Sequence, residues 1–187
     1  MICMLDLDNV LNNLQEAVNN VLNERYGTSY TLDNITKYNV SECINKENAI
    51  KMAAIYNERG IYDLVKPLPG AQECVQKLLR AGHEIYIVTN SAPSIFEEKV
   101  NWIKFYFPDI DEAHIISMKN KWLFKCDVMV EDNLDNLLGG HHYDRVCLNY
   151  PWNRDIRDDV YSIHRAYNWD DILNTINDIS KMWSDNN

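Results

Sequence analysis

The chain has 187 residues, of which 46% are apolar, and a formal net charge of -10 at pH 7. This length and apolar content suit one well-buried core with room for a small inserted module. The acidic balance argues against a protein whose main partner is a nucleic acid polymer or an anionic membrane, because both favour a basic face.

The five cysteines are scattered without any CxxC spacing. Three of them, Cys3, Cys126 and Cys147, fall in apolar runs, which is typical of reduced, buried thiols in a cytosolic protein. The sequence shows no signal-peptide pattern before the first apolar run and no run long enough to span a bilayer. We therefore expect a cytoplasmic protein with no membrane partner, and the sequence is compatible with a homodimer.

Strand-like and helical patterns alternate along the chain. Strands are predicted at Ile2–Leu5, Glu84–Val88, His114–Ser117, Val128–Val130 and Val146–Asn149, with a weaker one at Ser162–Arg165. Helices are predicted at Gly70–Arg80, Ser94–Phe107 and Trp169–Trp183, followed by a frayed tail at 184–187. This alternation indicates an α/β fold, a doubly wound parallel sheet of the Rossmann-like type with helices on both faces.

A long interval, residues 6–83, separates the first two predicted strands, and a single crossover helix needs far fewer residues. It contains a second helical pattern around Ala49–Tyr56 and, before that, an amphipathic helix with an apolar face formed by Leu11, Leu14, Val18, Val21 and Leu22. We expect a small helical cap at 10–67, inserted into a core formed by 1–9 and 68–187. Such an insert either enlarges the core or covers a site at the carboxyl ends of the strands, where open α/β sheets bind ligands.

The first predicted strand ends in two carboxylates, Asp6 and Asp8. Residues two apart on a strand point to the same side, so both side chains can face one small volume. Two anions that close require a cation, a proton or a solvated loop. A calcium-binding loop is excluded, because Val10 occupies the third ligand position and Leu11 replaces the obligatory glycine.

Polar residues also follow two other predicted strands. Thr89-Asn90-Ser91 follows the second strand, Glu131-Asp132-Asn133 follows the fourth, and Lys121 precedes the fourth. Taken singly, these are ordinary helix caps, turn residues and a solvated lysine. Their order and spacing favour one shared site, in which carboxylates hold Mg²⁺ while hydroxyl, amide and ammonium groups bind a phosphoryl group.

The ordered set of Asp6-x-Asp8-x-Val10, Thr89, Lys121 and Glu131-Asp132 resembles the four motifs of the haloacid dehalogenase superfamily. Within it, the chain is most similar to the 5'(3')-deoxyribonucleotidases. That closer resemblance is carried by the first motif and by three further segments, Pro67–Ala71, Glu98–Trp102 and Asn168–Asp171.

The resemblance implies a Mg²⁺-dependent phosphomonoesterase acting on nucleoside monophosphates, deoxyribonucleotides first among them. Asp6 would be the nucleophile that forms an aspartyl-phosphate, and Asp8 would be the general acid and base. Thr89, Asn90 and Lys121 would bind the phosphoryl oxygens. The Mg²⁺ ligands would be the Asp6 side chain, the Asp8 main-chain carbonyl, Asp132 and, directly or through water, Glu131.

The substrate-binding residues expected from the same resemblance are Asn90, Ser91, Leu14, Tyr38, Tyr56 and Tyr62. Two positions depart from the family pattern, since Leu14 and Asn39 stand where aromatic residues are usual, which points to a different or looser base pocket. Asn9 replaces a glycine, a change that Asn tolerates because it adopts left-handed backbone more readily than most residues. For the tyrosines, ordinary helix packing and base contact remain equal alternatives.

Two alternatives keep the same fold. One is a sugar-phosphate or other small-metabolite phosphatase with the same chemistry, and the other is a non-catalytic nucleotide-binding relative. A phosphate-accepting receiver module fits less well, because its acidic pair is adjacent, its acceptor lies mid-chain and it has no large insert. The sequence therefore predicts a small phosphomonoester as partner rather than a polymer.

Overall fold

The structure, a computed structural model, describes residues 1–185 of the chain. It contains one six-stranded sheet in which all neighbouring strands are parallel, in the order β3-β2-β1-β4-β5-β6. The strands are β1 Ile2–Leu5, β2 Glu84–Thr89, β3 Ile115–Ser117, β4 Val128–Glu131, β5 Asp144–Leu148 and β6 Ile163–Ala166. The predicted α/β class and doubly wound parallel sheet are confirmed.

The α-helices are α1 Leu14–Tyr26, α2 Lys46–Tyr56, α3 Ala71–Arg80, α4 Pro93–Tyr106, α5 Leu134–Leu138, α6 Asp158–Tyr161 and α7 Trp169–Asp185. Short 3-10 turns lie at Leu32–Asn34, Val40–Glu42, Ile61–Asp63, Glu112–His114 and Lys121–Leu123. The predicted fraying of Ser184 and Asp185 is wrong, because α7 continues through both; residues 186–187 of that predicted tail lie outside the described residues. Across residues 1–185, no helix combines the length and apolar character needed to cross a membrane.

Local sequence signals explain most of the element boundaries. Pro93 occupies the first turn of α4, where a missing N–H costs nothing, and Pro108 follows soon after the helix ends. Gly82, with φ of 83°, makes the left-handed turn between α3 and β2. The central strands β1 and β4 are almost fully buried because helices cover both faces of the sheet.

The segment between β1 and α3 contains α1, α2 and three of the 3-10 turns, and we call residues 10–67 the insert. Its two ends meet, because Asn13 N–H donates to the Lys66 carbonyl (3.0 Å) and Leu68 N–H donates to the Leu11 carbonyl (2.9 Å). Two indoles of the sheet-and-helix core also bind the insert: Trp169 Nε1 donates to the Val10 carbonyl (2.8 Å) and Trp102 Nε1 to the Val65 carbonyl (3.0 Å).

The apolar side of the insert is continuous with the main core. Val18 and Leu22 of α1 and Met52 of α2 belong to the same buried cluster as Leu5 of β1 and Val130 of β4. Burial of this kind stabilises a fold by about 25 cal/mol per Å² of apolar surface removed from water. The insert is therefore packed onto the sheet edge from which Asp6 and Asp8 emerge.

Candidate active site

The candidate site lies at the carboxyl ends of β2, β1 and β4, which are neighbours in the sheet. Asp6 follows β1 directly, and its N–H donates to the Val130 carbonyl (3.0 Å), so the pairing with β4 continues one residue beyond the strand. The chain then turns through Asn9, whose φ of 60° is left-handed as its residue type allows. This turn directs Asp8 back towards β2.

Asp6, Lys121, Glu131 and Asp132 form one buried cluster, which we call the Lys121 cluster. The ammonium of Lys121 lies 2.5 Å from Asp6 Oδ1 and 2.7 Å from Glu131 Oε1. All four residues are at most 4% exposed. Two carboxylates contact the Lys121 ammonium, and Asp132 adds a third beside them. Among the described residues, Asp6, Glu131 and Asp132 form the one group of acidic, histidine or cysteine side chains that could hold a metal ion, with candidate ligand atoms within 4.8 Å of each other.

The charge imbalance changes the proton affinity of two of these carboxyls. Burial, together with the neighbouring Glu131 carboxylate, raises the pKa of Asp6 to about 7, although Lys121 opposes the shift. Burial and the same Glu131 carboxylate raise the pKa of Asp132 well above its usual range. A divalent cation bound by these oxygens would balance the surplus negative charge, and oxygen ligands suit a hard cation such as Mg²⁺. The residues present therefore fit the expected metal.

Glu131 differs from the other two carboxylates because both of its oxygens already accept two hydrogen bonds. Oε1 accepts from Lys121 and from Asn136 Nδ2 (2.7 Å), and Oε2 accepts from the backbone N–H groups of Asp132 and Asn133 (both 2.9 Å). Burial would raise its pKa, but Lys121 and these donors hold the pKa of Glu131 below its usual value. A carboxylate held in this way orients its neighbours more than it offers a free ligand atom.

Asp8 lies in a second group of side chains, with Lys99, Tyr62 and Asn12, which we call the Lys99 cluster. Lys99 Nζ is 2.7 Å from Asp8 Oδ2, and Tyr62 OH donates to Asp8 Oδ1 (2.5 Å). Asn12 Nδ2 donates to the same Oδ1 (3.2 Å). Although burial acts in the opposite direction, Lys99 and these donors lower the pKa of Asp8.

The second motif joins this group through Lys99. The Lys99 ammonium also donates to Thr89 Oγ1 (2.9 Å) and to the Asn90 carbonyl (2.8 Å). Thr89 is fully buried at the end of β2, whereas Asn90 is exposed and Ser91 donates from Oγ to the Ala92 carbonyl (3.0 Å). The Lys99 ammonium therefore joins the end of β2 to Asp8 at the end of β1.

Lys99 was not predicted from the sequence, although a signal was present. It lies on α4 four residues after Ile95 and three before Trp102, both of which are buried, so a 3.6-residue period places Lys99 on the buried face of the helix. A lysine there needs a specific partner, because an isolated buried ammonium is costly. Asn12, fully buried beside Asp8, was also missed, since a single asparagine after a strand looks like a turn residue.

Two connected cavities open beside Asp8. The larger, about 290 Å³, is lined by Asp8, Asn9, Leu14, Gln15, Ile35, Tyr38, Asn39, Val40, Tyr56 and Trp152. The smaller, about 120 Å³, shares Asp8, Leu14 and Tyr56 with it and adds Asn57, Asn90, Ser91, Ala92, Ile95 and Lys99. Five of the six predicted substrate-binding residues therefore line these cavities.

Tyr62 is the predicted substrate-binding residue that lines neither cavity. It is 5% exposed, and burial next to the Asp8 carboxylate raises its pKa well above the usual value, so its hydroxyl is a hydrogen-bond donor. Tyr56 donates its hydroxyl to Gln15 Oε1. Tyr38 is 55% exposed, but burial of its hydroxyl beside the Asp132 carboxylate raises its pKa, so this hydroxyl lies next to the Lys121 cluster. The three tyrosines thus occupy three different environments.

The fold matches that of haloacid dehalogenase-like hydrolases. A haloacid dehalogenase-like family hydrolase from Streptococcus pneumoniae superimposes with a TM-score of 0.64 at 12% identity, covering 94% of this chain and 97% of its own. This likeness concerns the fold. Together with the sequence matches given next, this fold and the acidic residues at the ends of β1 and β4 identify the chain as a phosphatase of the haloacid dehalogenase superfamily.

Sequence comparison identifies the family within this superfamily. The family model described as "5' nucleotidase, deoxy (Pyrimidine), cytosolic type C protein" matches residues 1–182, and the chain belongs to this family. A 5'(3')-deoxyribonucleotidase of Clostridium acetobutylicum is 30% identical over 133 residues, 71% of this chain and 73% of its own. A relative from Staphylococcus epidermidis is 26% identical over 179 residues, 95% of this chain and 96% of its own.

Proposed function

We propose that this protein hydrolyses nucleoside monophosphates, deoxyribonucleotides first among them, through an aspartyl-phosphate on Asp6 and with Mg²⁺ as cofactor. The observation that carries the proposal is the separation of Asp6 and Asp8 into two differently charged clusters at the end of one strand. Two carboxyls with distinct environments can take the distinct roles of nucleophile and proton carrier. The family and its named relatives support the nucleotide as substrate.

In the first step an Asp6 carboxylate oxygen attacks phosphorus, the bond from phosphorus to the ester oxygen breaks, and Asp8 donates its proton to the leaving alkoxide. Although Lys99 lowers the pKa of Asp8 in the substrate-free protein, a bound phosphoryl group would add negative charge beside Asp8 and take Lys99 as its own partner, and both effects raise that pKa so that Asp8 can carry the proton. In the second step Asp8 accepts a proton from water as the water oxygen attacks phosphorus, which releases phosphate and restores Asp6. Lys99 and Thr89 Oγ1 are placed beside Asp8 to bind phosphoryl oxygens. Lys121, at 2.5 Å, holds the Asp6 oxygen in place.

Mg²⁺, when bound, supplies positive charge that keeps the carboxylates ionised and draws in the phosphate. We assign its protein ligands to the side chains of Asp6 and Asp132 and to the main-chain carbonyl of Asp8. Glu131 orients this set, because its own oxygens are already occupied by four donors.

The insert is proposed to act as a cap over the substrate. It contributes most of the lining of the larger cavity, whose volume of about 290 Å³ suits a small ligand and leaves little room for a polymer. A closed site also excludes water from the first step, in which water would compete with Asp6. The net charge of -10 further disfavours long polyanions.

The test is phosphate release from a panel of deoxyribonucleoside and ribonucleoside monophosphates, sugar phosphates and an aryl phosphate. We expect turnover of nucleotides in Mg²⁺, reversible loss on chelation, and inhibition by Ca²⁺, which prefers more ligands at longer distances. Activity that persists in excess chelator would exclude the metal site. A preference for sugar phosphates over every nucleotide would move the protein to a small-metabolite phosphatase. Nucleotide binding without any turnover would identify a non-catalytic relative.

A further inference from the structure

The loop after β5, Tyr150-Pro151-Trp152-Asn153, contacts the Lys121 cluster through Asn153 and lines the larger cavity through Trp152. Asn153 is 1% exposed, and its Nδ2 donates both to the main-chain carbonyl of Asp132 (2.8 Å) and to the Leu148 carbonyl at the end of β5 (2.9 Å). Its Oδ1 accepts from Tyr150 N–H (3.0 Å) and from Arg165 Nη1 (2.7 Å). Two donor hydrogens and two acceptor positions are therefore all used, which fixes the loop against the backbone of Asp132.

Trp152 is held by this loop as one wall of the cavity. Its ring stacks on Tyr150 with centroids 4.3 Å apart and planes 4° from parallel. Among the described residues that line the larger cavity, Trp152 is the one that comes from the chain beyond the insert. The insert supplies the facing side, including Leu14 and Tyr56, so the cavity lies between an aromatic ring of the core and apolar side chains of the insert.

We propose that Trp152 is a specificity-determining residue on whose ring the base of a nucleotide substrate stacks. This inference rests on the proposed function and deepens it, because it moves the base contact from the tyrosines of the insert to the core. A stacking surface must be flat and fixed, and the Tyr150 ring behind it and the Asn153 anchor beside it provide both properties.

The tyrosines of the insert are less suited to this role. Tyr62 lines neither cavity, and the Tyr38 hydroxyl lies beside the acidic residues Asp132 and Glu131. Tyr56 lines both cavities, but from the side of the insert that faces Trp152. The indole N–H of Trp152 is buried and has no acceptor among residues 1–185. Replacing Trp by Phe keeps the stacking face and removes this donor, so that variant distinguishes stacking from hydrogen bonding.

The experiment measures equilibrium binding in an Asp8→Asn background, which retains the proposed metal-binding side chains and slows cleavage. Calorimetry in Mg²⁺ gives Kd for each of the four deoxynucleoside 5'-monophosphates and for inorganic phosphate, and the ratio of the tightest nucleotide Kd to the phosphate Kd is the readout. Adding Trp152→Ala should raise this ratio about tenfold, since one stacked base is lost. Trp152→Phe should change it less than about threefold.

Trp152→Leu provides a second variant without an aromatic face in case the cavity left by alanine unfolds the loop, and we expect the same tenfold rise. Tyr167→Ala is the matched control, because Tyr167 is 70% exposed and does not line the cavity. An unchanged ratio in both Trp152→Ala and Trp152→Leu would overturn the proposal. The proposal would also be overturned if Trp152→Phe raised the Kd ratio as much as Trp152→Ala, because an aromatic ring at this position would then not be what binds the base.

Failure of the proposed function would look different. In that case wild-type protein would release no phosphate from any of the four nucleotides, while the dependence of nucleotide binding on Trp152 would still be measurable. The converse result is that wild-type protein hydrolyses nucleotides while the ratio of Kd values is the same with and without Trp152. That result would support the proposed function and contradict only the proposal that the base stacks on Trp152.

Discussion

The two lysine-centred clusters at the end of β1 differ in how many carboxylates share each ammonium. In the Lys121 cluster two carboxylates contact one lysine and a third lies beside them, so burial and the neighbouring Glu131 carboxylate raise the pKa of Asp6 to about 7. In the Lys99 cluster one lysine and two neutral donors serve Asp8, so its pKa falls. Two aspartates two residues apart thus acquire opposite proton affinities from partners distant in sequence, and the cluster short of positive charge is the one that can accept a metal.

The largest effect is expected for Asp6→Asn, which removes the nucleophile from the Lys121 cluster. Turnover of any phosphomonoester should fall by at least about a thousandfold, because an amide cannot form the covalent intermediate. The fold should remain, since the amide has the same shape and removes one of three competing charges. Phosphate release and thermal melting measure the two properties, and substantial residual hydrolysis in Asp6→Asn would contradict the covalent mechanism.

Asp8→Asn tests the role assigned to the other cluster. The amide keeps the shape of the side chain but cannot carry a proton, so we expect a loss of roughly 10²- to 10⁴-fold in kcat with an alkyl phosphate. An aryl phosphate, whose leaving group needs less protonation, should lose less. Inorganic phosphate should still bind, as measured by product inhibition. Equal losses on the alkyl and aryl substrates would argue against proton transfer by Asp8.

Lys99→Met sharpens the comparison by removing the ammonium that serves Asp8. Since Lys99 lowers the pKa of Asp8, its loss should raise that pKa and move the alkaline limb of the kcat/KM profile upward by about one pH unit. Tyr62→Phe is the matched control, because it removes a single neutral donor and should move the limb less in the same direction. A Lys99→Met profile unchanged in shape would mean that Lys99 does not set the pKa of Asp8.

The smallest effect concerns stability and the metal. The folded-state pKa of Asp6 is raised to about 7, and that of Asp132 is raised well above its usual value. Without metal, the stability that these two protonated groups contribute is therefore fully present below about pH 4 and falls as pH rises, and the Asp6 contribution is lost as pH passes through about 7. Mg²⁺ competes with protons for the same oxygens, so its stabilising effect should grow with pH. We expect Mg²⁺ to raise Tm by about 5 °C at pH 8 and by less than about 2 °C at pH 5.

Calorimetric melting in Mg²⁺ and in chelator at each pH makes this measurement, and comparison at one pH cancels the titration of histidines elsewhere. Asp132→Asn should remove most of the increase. A shift of equal size at both pH values, or a larger one at pH 5, would show that protons and metal do not compete at this cluster.

All six strands were predicted from the sequence, within one or two residues at each boundary, because buried parallel strands are short apolar runs set between helical patterns. The residues that follow β1, β2 and β4 were predicted as one site for the same reason, since parallel strands end at one edge of the sheet. Helices α5 and α6 were not predicted, because four or five residues are too few to show a helical period.

The missed site residues have a different cause. Lys99 contacts Asp8, which lies 91 residues earlier, so no local motif joins the two. Asn12 contacts Asp8 only four residues away, but a lone asparagine after a strand is usually a turn residue. Trp152 is far in sequence from the other residues that line the cavity, and a single tryptophan is usually a packing residue. The division of the chain into a cap at 10–67 and a core stays a prediction. The apolar side chains of the insert belong to the same buried cluster as those of the sheet, so packing does not mark a boundary between two units.

The two indole hydrogen bonds at the ends of the insert determine where this protein can bend. With the Val10 and Val65 carbonyls held by Trp169 and Trp102, both stems of the insert are fastened to helices that pack on the sheet. Rotation of the whole insert about its stems would break both bonds and expose buried indoles. We therefore expect movement of the insert to occur farther out, in the stretch of 3-10 turns around residues 31–45 that carries Tyr38 and contributes to the lining of the cavity.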